Sequence, residues 1–194
     1  MISGSSPMSD SWCTHLSSQL LPAQVARREA PARGQAAVLV PILFVADQPH
    51  VILTRRAAHL QHHPGEIAFP GGMWESDDIN LAQTALRESF EETGMPSDAV
   101  QLLGRMKPFS TRRGVSVTPV VGVVHGTPRL TPDPAELDLI FQVPLAQLTP
   151  EAAARYDTFD YAEGRVRVPV FESQGHTIWG LTAAIIANLN SLIC

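Results

Sequence analysis

The stretch from Gly72 to Met95 reads GMWESDDINLAQTALRESFEETGM. Asp77 and Asp78 are good N-cap residues ahead of Leu81, Ala82, Ala85, Leu86, Ser89 and Phe90, whose small and apolar positions recur at helical intervals. Gly94 and Pro96 then stop the helix. On that helix Glu88, Glu91 and Glu92 stand at i, i+3 and i+4, so the spacing predicts three carboxylates on one face. Such neighbours repel, a cost tolerated where a cation binds between them, and oxygen donors suit the hard divalent ions Mg²⁺ and Mn²⁺. Arg87, one residue ahead, would brace a carboxylate by charge-assisted hydrogen bonds.

A solvated acidic face is the plain alternative for such a charge run. Phe69, Pro70, Gly71 and Gly72 argue against it. Two glycines in front of the helix let the backbone approach a ligand closely or offer a carbonyl to a metal.

Loop and helix together resemble the box of the Nudix hydrolases: a Gly, five residues, an acid, then Arg-Glu-U-x-Glu-Glu-x-Gly-U, with U aliphatic. Gly72 and Asp78 match the front, and Arg87, Glu88, Glu91, Glu92, Gly94 and Met95 match the back. The chain departs from the pattern in three ways. Eight residues separate Asp78 from Arg87 instead of seven, Ser89 takes the first aliphatic position, and the acid is Asp. Upstream, LTRRAAHLQHHPGEIAFPGG (Leu53 to Gly72) is similar to the segment LLTxRxxxLxxHxGQxxFPGG of the coenzyme A diphosphatase branch, which has the same longer spacing. Arg56, Leu60, His63, Gly65, Phe69, Pro70, Gly71 and Gly72 fall in register, and Glu66 replaces the usual Gln. VTPVVG (Val117 to Gly122), IFQVPLAQL (Ile140 to Leu148) and IWGLTAAII (Ile178 to Ile186) also look like that branch. Several ordered matches are far more specific than one motif.

Composition agrees with an enzyme of this kind. The chain has 194 residues, 44% hydrophobic and 17% charged, enough for a sizeable core. No repeat is visible and no apolar run reaches membrane-spanning length, so no membrane role is expected. A net charge of -5 argues against broad nucleic-acid binding. MISGSSPMSD lacks the features of a signal peptide and reads as a loose tail, a vector remnant or an upstream start before Met8, so a cytoplasmic protein is expected. Cys13 and Cys194 are too few for a disulfide framework or a zinc site, and they agree with a reducing compartment.

Ala36 to Phe44 and His50 to Thr54 read as strands of a hairpin turning at Asp47-Gln48-Pro49. Val115 to Val124 is a strand broken at Pro119 and Gly122, and Ile140 to Val143 continues the β pattern. Leu145 to Arg155 is expected to be partly helical, Phe159 to Phe171 a hairpin centred on Glu163-Gly164, and Thr177 to Ile193 a buried helix. The resemblance implies an α+β fold, an α/β/α sandwich with a mixed central sheet, over residues 31–194. Residues 1–30 are expected to be loosely packed.

A diphosphate is anionic and resists water, so its hydrolysis calls for metal ions. The resemblance makes Glu88 and Glu92 the principal ligands of Mg²⁺ or Mn²⁺, with Glu91 a further ligand or the base. Glu66 and Glu136 are further base or ligand candidates, and Arg87 completes the catalytic set. Arg55, Arg56, His63, Gly71, Gly72 and Arg112 are the substrate-binding candidates; strand alternation lets at most one of Arg55 and Arg56 reach the ligand. Trp179, in an apolar helix, reads as core. The implied reaction splits coenzyme A, or an acyl or oxidised form, into adenosine 3′,5′-bisphosphate and 4′-phosphopantetheine. Alternatives are another nucleoside diphosphate derivative (ADP-ribose, a dinucleotide, a nucleoside triphosphate) or a non-catalytic nucleotide-binding module. A homodimer is common in the family, and the apolar stretch around Val117 to Val124 would allow one.

Overall fold

β-Branched runs supply the strands and short amphipathic runs the helices that cover them. The computed structural model describes residues 7–23, 34–111, 113–161 and 164–193. In chain order the elements are α1 (Pro7–Gln19), β1 (Gln35–Val45), β2 (Gln48–Arg56), β3 (Ile67–Ala68), β4 (Gly71–Met73), α2 (Leu81–Thr93), β5 (Val100–Arg105), β6 (Phe109–Ser110), β7 (Ser116–Val124), β8 (Leu137–Pro144), β9 (Arg155–Tyr161), β10 (Gly164–Ser173), β11 (His176–Ile178) and α3 (Gly180–Ile193).

Strands β3-β2-β1-β7-β5 form the spine of a mixed sheet, with β4 added to β1, β6 to β7 and β8 to β2. β1 and β7 run parallel from Gln35 opposite Ser116 to Ile42 opposite Val123, and the other pairs are antiparallel. Alternation along β1 sends Ala37 and Leu39 into a core with Ala82, Ala85 and Met95 around α2. Val40 and Ile42 go to the opposite face, where Leu16, Ile185, Ile186 and Leu189 pack. A sheet covered on both faces reads as continuous apolar sequence, as β1 does. The expected α/β/α sandwich is therefore what forms.

The β1–β2 hairpin turns at Ala46 and Asp47, both with positive φ (47° and 63°), the geometry of a two-residue type I′ turn. Gln48 and Pro49, expected in the turn, already pair in β2 with Val45 and Phe44. β7 is not broken at Pro119, which lies in an unbroken register with β1. Leu145–Arg155 contains only two single-turn 3-10 segments, Leu145–Gln147 and Pro150–Ala152, before β9 begins. The β9–β10 hairpin forms as expected, with Tyr161 opposite Gly164; residues 162–163 lie outside the described residues.

Two expectations are corrected. Residues 7–19, placed in a loose segment, form α1, with Leu16 fully buried and the N–H groups and carbonyls of Leu21 and Arg105 paired at 2.8 and 2.9 Å. Met8, Trp12 and Leu16 stand four residues apart on this otherwise polar helix, and Trp12 packs against the same core as Leu16. Val117 to Val124 is also no dimer surface: β7 is flanked by β1 and β5 and its apolar residues are buried. Among the described residues, no helix is long and apolar enough to cross a membrane.

Candidate active site

The site lies where the Phe69 to Met73 loop meets α2. Asn80, not Asp77 or Asp78, caps this helix, accepting a hydrogen bond from the Gln83 N–H at 2.9 Å. Gly94 ends it in the left-handed conformation, φ 69°, with its N–H on the Phe90 carbonyl. Asp78 is free for another task.

That task is to hold Arg87. The buried Asp78 carboxylate accepts from Arg87 Nε at 3.0 Å and Nη2 at 2.9 Å, from Thr84 Oγ1 at 2.9 Å and from the Glu75 N–H at 3.1 Å. Burial opposes its ionisation, but these donors and the Arg87 charge prevail and hold its pKa below the ordinary value. Arg87 Nη1 reaches Glu88 Oε1 and Glu91 Oε2, each at 3.0 Å, and Nη2 reaches the Met73 carbonyl at 3.2 Å. All five guanidinium N–H groups are thereby engaged. Arg87, counted from sequence among the catalytic residues, has its guanidinium donors engaged on Asp78, Glu88, Glu91 and the Met73 carbonyl.

The three glutamates do not share one environment. Glu92 is 4% exposed, and its Oε2 accepts from the Gly71 N–H at 3.1 Å. Burial, with repulsion from Glu136 and Glu88, pushes its pKa up to about 8 despite that bond and the Arg56 charge. Glu88 lies under Gly72; a Cβ there would collide with the Glu88 carboxylate, so only glycine permits this approach. Burial raises the Glu88 pKa, partly offset by Arg87. A Cβ at Gly71 would strike the Ala37 carbonyl and Val38. Glu91 turns outward, its side chain 56% exposed and held by Arg87.

The remaining candidates divide. Glu136 opens the way into β8, and its charge acts on both Glu88 and Glu92. Its loop is latched to the end of α2 by the Asp133 N–H on the Glu92 carbonyl and the Thr131 N–H on the Thr93 carbonyl. Glu66 Oε2 pairs with His63 Nδ1 at 2.8 Å, and His63 has a positive φ of 57°. Arg55 is committed elsewhere: β8 skips one residue against Arg55 and Arg56, and that residue, Asp138, meets Arg55 Nε at 2.6 Å. Among the described residues Arg56 carries no such ion pair. Arg112 lies outside the described residues. Trp179, expected in the core, is 40% exposed. Thr84 and Asn80 were missed as site-builders, and Asp78, matched to the acid of the box, also reads as a cap, because a run of Asp-Asp-Ile-Asn offers three plausible caps.

The donor chemistry suits Mg²⁺ or Mn²⁺. Glu88 and Glu92 are acid groups one helical turn apart, Glu92 accepting from the Gly71 N–H through Oε2 and Glu88 from Arg87 through Oε1. A divalent cation between them would favour the ionised form of both. Among the described residues no three His, Cys, Asp or Glu side chains converge as a metal group.

The NUDIX domain model matches residues 34–161. The chain is 41% identical over 163 residues to a protein of Photorhabdus laumondii named uncharacterized Nudix hydrolase NudL, covering 84% of this chain and 87% of that one. A NudL protein of Pectobacterium atrosepticum is likewise 41% identical, over 164 residues and 84% of each chain. Among solved structures, the M. smegmatis Nudix hydrolase RenU aligns with a TM-score of 0.51 at 22% identity, over 62% of this chain and 79% of that one. A C. elegans Ap4A hydrolase binary complex gives 0.50 at 18%, over 57% and 80%. These structures share the fold. The chain belongs to the Nudix hydrolase family.

Proposed function

We propose that the protein hydrolyses the diphosphate bond of coenzyme A, or of an acyl or oxidised form, to adenosine 3′,5′-bisphosphate and the 4′-phosphopantetheine fragment. The observation that carries the reaction class is the pair Glu88 and Glu92, one helical turn apart beneath Gly71 and Gly72, with Glu92 buried and Glu88 partly buried. Bound Mg²⁺ or Mn²⁺ would supply neutralisation of the phosphate oxygens and a lowered pKa for the attacking water. Glu88 and Glu92 would hold it, and Arg87, anchored on Asp78, keeps Glu88 in place. A carboxylate of the set Glu66, Glu91 and Glu136 takes the proton of the water. The water oxygen bonds to one phosphorus, the bridging P–O bond breaks, and its electron pair leaves on the other phosphate.

The substrate assignment rests on the segment Leu53 to Gly72 and its likeness to the coenzyme A branch. The test is turnover of coenzyme A, ADP-ribose and dATP with Mg²⁺ or Mn²⁺, products resolved by chromatography. Release of adenosine 3′,5′-bisphosphate from coenzyme A, lost in Glu92→Gln, supports the reading. Cleavage of ADP-ribose in its place would overturn the substrate and keep the chemistry. Turnover of none would favour a nucleotide-binding module.

A further inference from the structure

Arg56 ends β2 where the parts of the site meet. Its N–H donates to the Glu66 carbonyl at 3.0 Å and its own carbonyl accepts from the Gly65 N–H at 3.0 Å. The next residue, Ala57, donates to the Glu136 carbonyl at 2.8 Å. The strand end is thus held between the two loops that carry Glu66 and Glu136. Its guanidinium is close enough for its charge to act on Glu92. Among the described residues, however, it joins no ion pair, and its buried Nε has no hydrogen-bond partner. A buried charged donor without an acceptor is costly and rare in folded proteins. The neighbouring arginines differ: Arg55 is spent on Asp138 and Arg87 on its five acceptors.

We infer that Arg56 is a catalytic residue whose guanidinium, facing the Glu88–Glu92 pair across the site, donates to non-bridging oxygens of the scissile diphosphate. An anionic phosphate supplies the acceptor that Nε lacks, and the planar fork of Nε and one Nη matches two such oxygens. As the bridging P–O bond breaks, negative charge grows on the departing phosphate, and a fixed cation there lowers the barrier. Arg56 acts by charge and hydrogen bonding and exchanges no proton. This rests on the diphosphatase reading above but not on coenzyme A as the substrate, since every candidate shares the diphosphate.

Arg56→Gln and Arg56→Lys are compared with wild type for kcat and KM on coenzyme A and on ADP-ribose with Mg²⁺, with thermal midpoints measured alongside. For Arg56→Gln, kcat should fall by about 100-fold or more, and less for Arg56→Lys, with midpoints held. Guanidinium ion should partly restore kcat in Arg56→Ala, a rescue that a purely structural role would not produce. A folded Arg56→Gln with kcat within about threefold of wild type overturns the inference, as does failure of guanidinium to restore any rate. Cleavage of ADP-ribose alone sinks only the coenzyme A assignment. If neither substrate turns over, calorimetric binding of α,β-methylene ADP with Mg²⁺ decides: about tenfold weaker binding in Arg56→Gln supports the contact, and unchanged affinity overturns it.

Discussion

Replacing Glu92 by Gln should make the metal-free protein more stable at alkaline pH, the reverse of what deleting a buried charge partner usually does. The fold raises the Glu92 carboxyl from 4.5 to about 8, so the folded chain binds that proton more tightly than the unfolded one. Its contribution to stability is complete below about 4.5 and is lost as pH climbs through about 8. At about 1.4 kcal/mol per tenfold change in proton affinity, the loss between pH 5 and pH 9 is about 4 kcal/mol. Gln is nearly isosteric, keeps an oxygen for the Gly71 N–H, and stays neutral throughout. Urea unfolding with a chelator present, from pH 5 to pH 9, should therefore give similar stabilities at the acid end. The variant should exceed wild type by about 4 kcal/mol at the alkaline end, which is a large part of a domain's total. Parallel pH curves, or a variant less stable than wild type at pH 9, would refute the argument. Adding Mg²⁺ at pH 9 should raise the wild-type midpoint by mass action and leave the variant unmoved.

Other substitutions probe separate parts of the structure. Ser89→Ala removes a fully buried hydroxyl that has no partner among the described residues and should stabilise by about 1 kcal/mol, read as a thermal midpoint higher by about 2–4 °C; a lower midpoint would contradict it. Gly72→Ala should cost about 1–3 kcal/mol through overpacking on Glu88 and abolish the thermal shift with Mg²⁺. Asp78→Asn leaves Arg87 without its main counter-charge and should cost about 3–5 kcal/mol in urea unfolding, with kcat reduced as Glu88 loses its support. Leu16→Ala should cost about 2–5 kcal/mol; an unchanged urea midpoint would mean that α1 is no part of the core.

The acidic helix and its glycine loop were legible in the sequence because each rests on local spacing, and the sandwich was legible through the family resemblance those motifs carry. Glu88 and Glu92 at i and i+4 must share a helix face, and a Gly-Gly pair ahead of them must allow close backbone approach. The apolar runs of β1 and β7 announced buried strands for the same reason. What spacing could not supply was the fate of each charge. Asp78 reads as a cap and becomes the anchor of Arg87, because only the packed loop brings them together across nine positions. Arg55 and Arg56 are equivalent in sequence, and a skipped residue in β8 gives Asp138 to Arg55 and not to Arg56. Glu91 belongs to the same motif as Glu92, yet one faces solvent and the other is buried. Helical and strand periodicity are properties of neighbouring residues and so are written in the chain; charge pairing and burial depend on segments distant in sequence, and only the tertiary structure decides them.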